Sequence, residues 1–241
     1  MPSLVLRLPR DRPYPEIGQD MAMSRAVIRD SMSISIAVGT YGAAFGVASV
    51  AAGLSIVQTC ALSLLLFSGA SQFAVAGVLG AGGSALSAIM ASALLALRNG
   101  FYGARMAPLL QVRGIKRFFA AQITIDESTA VALAHETNSA DDARKGFWLT
   151  GLGIYLFWNL ATFIGALGAN ALGDPARWGL DATIPAAFLG LLWPRLKNNT
   201  ARLVAVAAVL LAITLTPLLT PGLPIIACVF IPLIAGWRLR K

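Results

Sequence analysis

Between Ser31 and Leu97, 67 consecutive residues contain no Asp, Glu, Lys, Arg or His. A membrane-crossing helix needs about 20 apolar residues, so this run alone has length for about three. The same patterning marks eight apolar segments: Ser31–Ala52, Ile56–Leu79, Ser84–Tyr102, Phe118–Ala134, Phe147–Leu172, Ala182–Pro194, Leu203–Leu219 and Leu223–Trp237. Two are interrupted by polar residues. Ser68-Gly69-Ala70-Ser71-Gln72 splits the second, and Asp126-Glu127 sits inside the fourth. Thr220-Pro221-Gly222 is a turn signal that joins the last two as a hairpin.

A spanning backbone must satisfy its own N–H and C=O groups, which leaves helices or closed barrels. Barrel strands alternate apolar and polar residues; Ala61–Phe67 and Leu203–Leu215 do not. The pattern therefore predicts an all-α polytopic integral membrane protein with 6–8 transmembrane helices, two of them broken or re-entrant around 68–72 and 123–128. Residues 1–30 read as a polar cytoplasmic N-terminal segment, and 31–241 as a single transmembrane transporter domain. Gly39, Gly42 and Gly46 share one side of the first helix, where Gly-x-x-x-Gly allows a neighbouring backbone to come close.

Composition agrees. Hydrophobic residues make up 57% and charged residues 12%, against about half and a quarter in soluble domains. The net charge of +8 would point to nucleic acid in a soluble chain. Here the bases flank apolar segments, as in cytoplasmic loops, and no nucleic-acid partner is expected. No stretch of roughly 7–15 apolar residues follows Met1, so no cleaved signal peptide is expected.

Most of the bases fall in four clusters: the N-terminus, Arg98–Arg117, Arg195–Arg202 and Arg238–Lys241. Eight full crossings leave the second cluster on the opposite side from the others. Six full crossings with two re-entrant segments put all four on one side, with both termini cytoplasmic. That topology is preferred over eight; seven ranks lower because it separates the termini.

Enzyme chemistry finds little support. There is no P-loop and no His-Glu-x-x-His, and the single histidine, His135, cannot build a zinc site alone. Cys60 and Cys228 lie in apolar segments and read as small hydrophobes. No metal or cofactor is expected. A carboxylate at mid-bilayer costs about 2.5–3.5 kcal/mol and usually faces a cavity or a partner. Asp126 and Glu127 are thus candidates for a proton or ammonium site, unless their segment is an interfacial helix. A helix restarting near Gly69 presents free N–H groups and the positive end of its dipole to an anion. The alternative there is a packed kink with Gln72 bonded to a neighbouring helix. Arg98 is either an interfacial anchor or a partner of Asp126 or Glu127. Asp181, ahead of the sixth segment, reads as a helix N-cap.

These residues resemble the AzlC family, the large subunits of two-component branched-chain amino-acid exporters. The resemblance rests on Phe45-Gly46, Gly53-Leu54-Ser55, Phe67-Ser68-Gly69-Ala70-Ser71-Gln72-Phe73, Leu97-Arg98-Asn99 with Tyr102, Thr124-Ile125-Asp126-Glu127 and Gly179-Leu180-Asp181. The chain lacks the family's histidine after the arginine block, and Ile125 intervenes in Thr-Asp-Glu. The resemblance implies export of branched-chain or similar small apolar amino acids across the inner membrane. The sequence offers no ATPase and no obvious docking element for one, so coupling to an ion or proton gradient is expected. A small hydrophobic AzlD-type subunit would be the partner. Gly69, Ala70, Ser71, Gln72, Arg98, Asn99 and Tyr102 would bind substrate, with Asp126 or Glu127 meeting the ammonium group or carrying the proton. Phe67, Phe73 and Phe101 would contact the side chain. A channel or a non-transporting scaffold subunit is the alternative.

Overall fold

The computed structural model describes residues 17–171, 177, 179 and 182–239. Asp181 lies outside them. Among the described residues every regular element is helical. The chain is an all-α polytopic membrane protein. In order the helices are α1 (Ile17–Ala51), α2 (Ile56–Leu65), α3 (Gly69–Gly80), α4 (Ala85–Leu110), α5 (Ile115–Gln122) and α6 (Asp126–Glu136). There follow α7 (Ala140–Ala171), α8 (Thr183–Leu192) with a 3-10 turn at Trp193–Arg195, α9 (Asn199–Leu215), α10 (Leu223–Ala227) and α11 (Phe230–Leu239).

Arg25–Ala51, Ala85–Leu110 and Ala140–Ala171 are long and apolar enough to cross a membrane. α1 begins at Ile17, well before the apolar stretch starts at Ser31. Polarity bounds the part of a helix that lies in lipid; it does not stop the helix.

Both interrupted segments are broken helices. The second divides into α2 and α3 around Leu66–Ser68, and the fourth into α5 and α6 around Ile123–Ile125. At 1.5 Å per residue each half is about 12–18 Å long, roughly half of a ~30 Å hydrocarbon core. A long helix followed by a broken pair thus occurs twice, as α1 with α2–α3 and as α4 with α5–α6. α9 and α10 are joined through Gly222, whose φ of 98° suits a residue without Cβ.

The core is built on the pairing of α1 with α7. A Cβ on Gly42 would strike the Trp158 carbonyl oxygen, and one on Gly46 would strike that of Thr162. From the other side, a Cβ on Gly165 would strike the Ala43 carbonyl. Glycine on both faces therefore lets the two backbones touch, which supplies dense van der Waals contact where lipid gives no hydrophobic drive. Phe45, Phe73 and Trp158 pack into the space beside this seam, with Phe45–Phe73 edge-on at 5.7 Å and Phe45–Trp158 stacked at 6.4 Å. α9 buries none of its residues; Leu203, Val206, Leu210 and Ile213 face outward, as lipid-facing side chains do.

Candidate functional site: a cavity between two broken helices

The break between α2 and α3 is held by its own polar residues. Ser55 and Gln58 close a capping box at the start of α2. At the other end, Gln72 Nε2 donates to the carbonyls of Leu66 (2.7 Å) and Ser63 (3.3 Å). Its Oε1 accepts from the Trp158 indole Nε1 at 2.9 Å. Ser71 Oγ donates to the Ser92 carbonyl of α4 at 3.1 Å, and Ser68 Oγ donates to Ser71 at 3.1 Å. Ser71 and Gln72 are both 0% exposed. Gln72 thereby satisfies carbonyls at the end of α2 while Ser71 ties the start of α3 to α4, and a buried polar group left unpaired costs about 1–3 kcal/mol. Gln72→Leu removes the bond to Leu66 and leaves the Trp158 N–H unpaired. We expect a loss of about 2–4 kcal/mol of stability, read as a lower melting temperature of the purified protein; an unchanged temperature would show that the break does not need Gln72.

The start of α3 is open. The first bond inside the helix is Gln72 N to Ser68 O, at 2.9 Å. Ser68 makes no side-chain cap, so the amides of Gly69 and Ala70 keep their donors. A Cβ on Gly69 would sit 3.0 Å from the Trp158 ring, which keeps this turn glycine.

The break before α6 is organised differently. Thr124 Oγ1 donates to the Ala120 carbonyl at 2.6 Å. Ser128 Oγ donates to the Ile123 carbonyl at 2.8 Å and accepts from the Ile125 amide at 3.1 Å. Gln122 Nε2, at the end of α5, donates to the Leu64 and Leu65 carbonyls at the end of α2. The C-terminal ends of α2 and α5 are therefore tied together, and the starts of α3 and α6 flank one cavity. α6 carries Asp126 and Glu127 in its first turn, where the dipole favours carboxylates.

That cavity has a volume of about 190 Å³, many times the ~10–15 Å³ that holds one water. Gly69, Ala70, Arg98, Asp126 and Glu127 line its polar side, and Val38, Phe67, Phe73 and Ile154 its apolar side. Arg98 Nη1 lies 3.3 Å from Asp126 Oδ2, so the arginine is a partner of the acid rather than a lone anchor. Arg195 Nη2, from the 3-10 turn after α8, reaches the same oxygen at 3.2 Å. Glu127 makes no direct ion pair among the described residues, although the Arg98 charge acts on it from nearby.

Seven of the candidate residues thus meet at one place: Gly69, Ala70, Arg98, Asp126 and Glu127 with Phe67 and Phe73. Ser71 and Gln72 stand behind the wall, holding the break. Asn99 and Tyr102 are not on the cavity wall, although Asn99 Oδ1 is buried with no partner. Phe101 points outward. Sequence reasoning missed Tyr41 and Trp158, which also line the cavity, and the role of Arg195. Arg195 lies in a basic cluster that informs membrane orientation, and nothing in its spacing announces a partner about seventy residues earlier. Away from the cavity, His135 Nε2 meets Asp30 Oδ2 at 3.3 Å and ties α6 to α1.

Broken helices whose restarted ends line a shared pocket form the arrangement of solute-translocating membrane proteins. The chain belongs to the AzlC family, whose model, described as AzlC protein, matches residues 33–172. It is 36% identical over 221 residues to an uncharacterized membrane protein of Archaeoglobus fulgidus, covering 90% of this chain and 95% of that one. It is 26% identical over 210 residues to the inner membrane protein YgaZ of Escherichia coli, covering 83% and 84%. No solved structure matches it. Family and relatives together give the chain a transport-related role in a membrane.

Proposed function

We propose that the protein is a secondary transporter that exports branched-chain or similar small apolar amino acids across the inner membrane, with both termini cytoplasmic. It would work with a small AzlD-type membrane subunit, the partner that its family implies.

One observation carries this reading. The cavity brings anion-receiving groups and cation-receiving groups together beside an apolar wall. Gly69 and Ala70 offer amides at the positive end of α3, beside Arg98. Asp126 and Glu127 offer carboxylates. A zwitterion with a branched apolar side chain matches all three features: carboxylate to α3 and Arg98, ammonium to Glu127, side chain among Val38, Phe67, Phe73 and Ile154. Ser71 and Gln72 serve this site by holding the restart of α3 in place. Asp126 is already engaged by Arg98 and Arg195, so Glu127 is the carboxylate open to substrate or to a coupling proton. Rocking of the packed helices about the cavity would open it to each side in turn.

The test is efflux of labelled leucine from cells that lack their own leucine exporters and are fed a leucine-containing dipeptide. Expression of this chain with an AzlD-type subunit should raise efflux, and a protonophore should abolish the gain. No gain over empty vector would overturn the reading. Efflux that persists after the gradient is collapsed would assign a channel instead.

A further inference from the structure

A second pocket lies away from the cavity, where α4 hands over to α5. Gln111 caps α4 in a left-handed conformation (φ 52°), and Gly114 follows at φ 57°. These two residues fold α5 back along the last turns of α4. The space left between them measures about 630 Å³. Met106, Leu110 and Ala120 form its apolar wall, and Arg113 and Arg117 stand at its polar side.

The charges here are unspent. Arg98, Arg105, Arg144 and Arg195 each have a carboxylate partner. Among the described residues, Arg113, Lys116 and Arg117 have none, although they fall within two turns of chain. The same short helix exposes apolar surface: Ile115 is 69% exposed, Phe118 65% and Phe119 55%. In water such side chains would be a liability. At the end of a membrane-length helix they belong in hydrocarbon, with the bases at the headgroup level. α5 then runs about 12 Å from the bilayer surface toward the break at Ile123.

We propose that this pocket binds an anionic phospholipid of the surrounding bilayer. Arg113 and Arg117 hold the headgroup phosphate, and Lys116 adds charge at the rim. Ile115, Phe118 and Phe119 lie along the acyl chains. Basic pockets beside apolar helix surface at the membrane edge recognise lipid in this way. The bound lipid has a structural consequence, because α5 leads directly through Ile123–Ile125 into Asp126. A lipid that fixes α5 also fixes the start of α6 at the cavity.

The test reads lipid binding and not transport, so it stands apart from the proposed substrate. The full-length protein is reconstituted in phosphatidylcholine bilayers containing spin-labelled phosphatidylglycerol or spin-labelled phosphatidylcholine, and the motionally restricted fraction is measured. We expect a clear preference for phosphatidylglycerol. Each base near the surface contributes about fivefold in affinity, so R113Q/K116Q/R117Q should reduce the preference to that of phosphatidylcholine. K197Q, an exposed base on the loop before α9, should leave it unchanged. R113K/R117K, which keeps the charge, should retain most of it and guards against a folding defect in the triple variant. Equal restriction of both lipids, or an undiminished preference in the triple variant, overturns the proposal. An equal loss with K197Q also overturns it, since binding would then be diffuse. Displacement of phosphatidylglycerol by millimolar inorganic phosphate would assign the pocket to free phosphate and overturn the lipid assignment.

Discussion

Glu127→Gln is expected to cut leucine export about 10- to 150-fold while leaving the protein folded. The figure follows from one charge-assisted hydrogen bond, about 1.5–3 kcal/mol, lost between the carboxylate and a substrate ammonium. Glu127 is the residue to change because it is the acid at the cavity that no described base occupies. Glutamine keeps its size and one acceptor oxygen, so packing around the start of α6 is undisturbed. Asp126→Asn should behave differently. Arg98 and Arg195 both lose their shared anion, which loosens α6 from α4 and from the turn after α8. That variant should melt at a lower temperature as well as export less. Export assays and melting curves of both variants, run side by side, separate the two roles. If Asp126→Asn and Glu127→Gln together leave the export rate and its proton dependence unchanged, the cavity is not the transport site.

Gly46→Val should abolish recovery of folded protein. The new side chain would strike the Thr162 carbonyl and approach the Ala166 amide nitrogen at 2.7 Å. Both are backbone atoms of α7 and have no rotamer to retreat into. Overpacking in a core usually costs about 1–3 kcal/mol, and it costs more where the obstacle is backbone. α1 and α7 would have to part along their whole glycine seam, and with them Phe45 and Trp158 would lose their stacking. Gly168→Ala is the control, since nothing lies within 4 Å of a Cβ there. It should be neutral or slightly stabilising, because alanine is the better helix former. The yield of monodisperse protein on size-exclusion chromatography distinguishes these outcomes. Equal yields for Gly46→Val and Gly168→Ala would show that close contact between α1 and α7 is not required.

Much of the architecture was legible because the bilayer is a demanding solvent. An uncharged run longer than one crossing must be helical. Polar residues inside such a run must mark a place where the helix fails or a cavity opens. Both breaks were anticipated on that logic, at Ser68–Gln72 and around Asp126-Glu127, and they lie just ahead of those residues, at Leu66–Ser68 and Ile123–Ile125, because the polar residues open the restarted helices. The glycines of α1 were likewise readable as a close-packing face, since three of them at helical spacing leave few other uses.

The direction each polar side chain takes was not legible. Gln72 follows Gly69 by three residues, so both belong to the same first turn of α3. Gly69 and Ala70 line the cavity, whereas Ser71 and Gln72 of the same turn do not. Gln72 faces Trp158 and the Leu66 carbonyl because α7 presents an indole N–H at that height. The sequence shows which groups must be satisfied; it does not show by whom. Arg195 makes the same point. Its charge was visible as part of a basic cluster, but the ion pair with Asp126 exists only because the turn after α8 comes back over the cavity. Local polarity and helix periodicity determined that this chain enters the membrane and where its helices break. The convergence of two helix starts on one cavity, and of two arginines on Asp126, depended on long-range packing, which no spacing along the chain encodes.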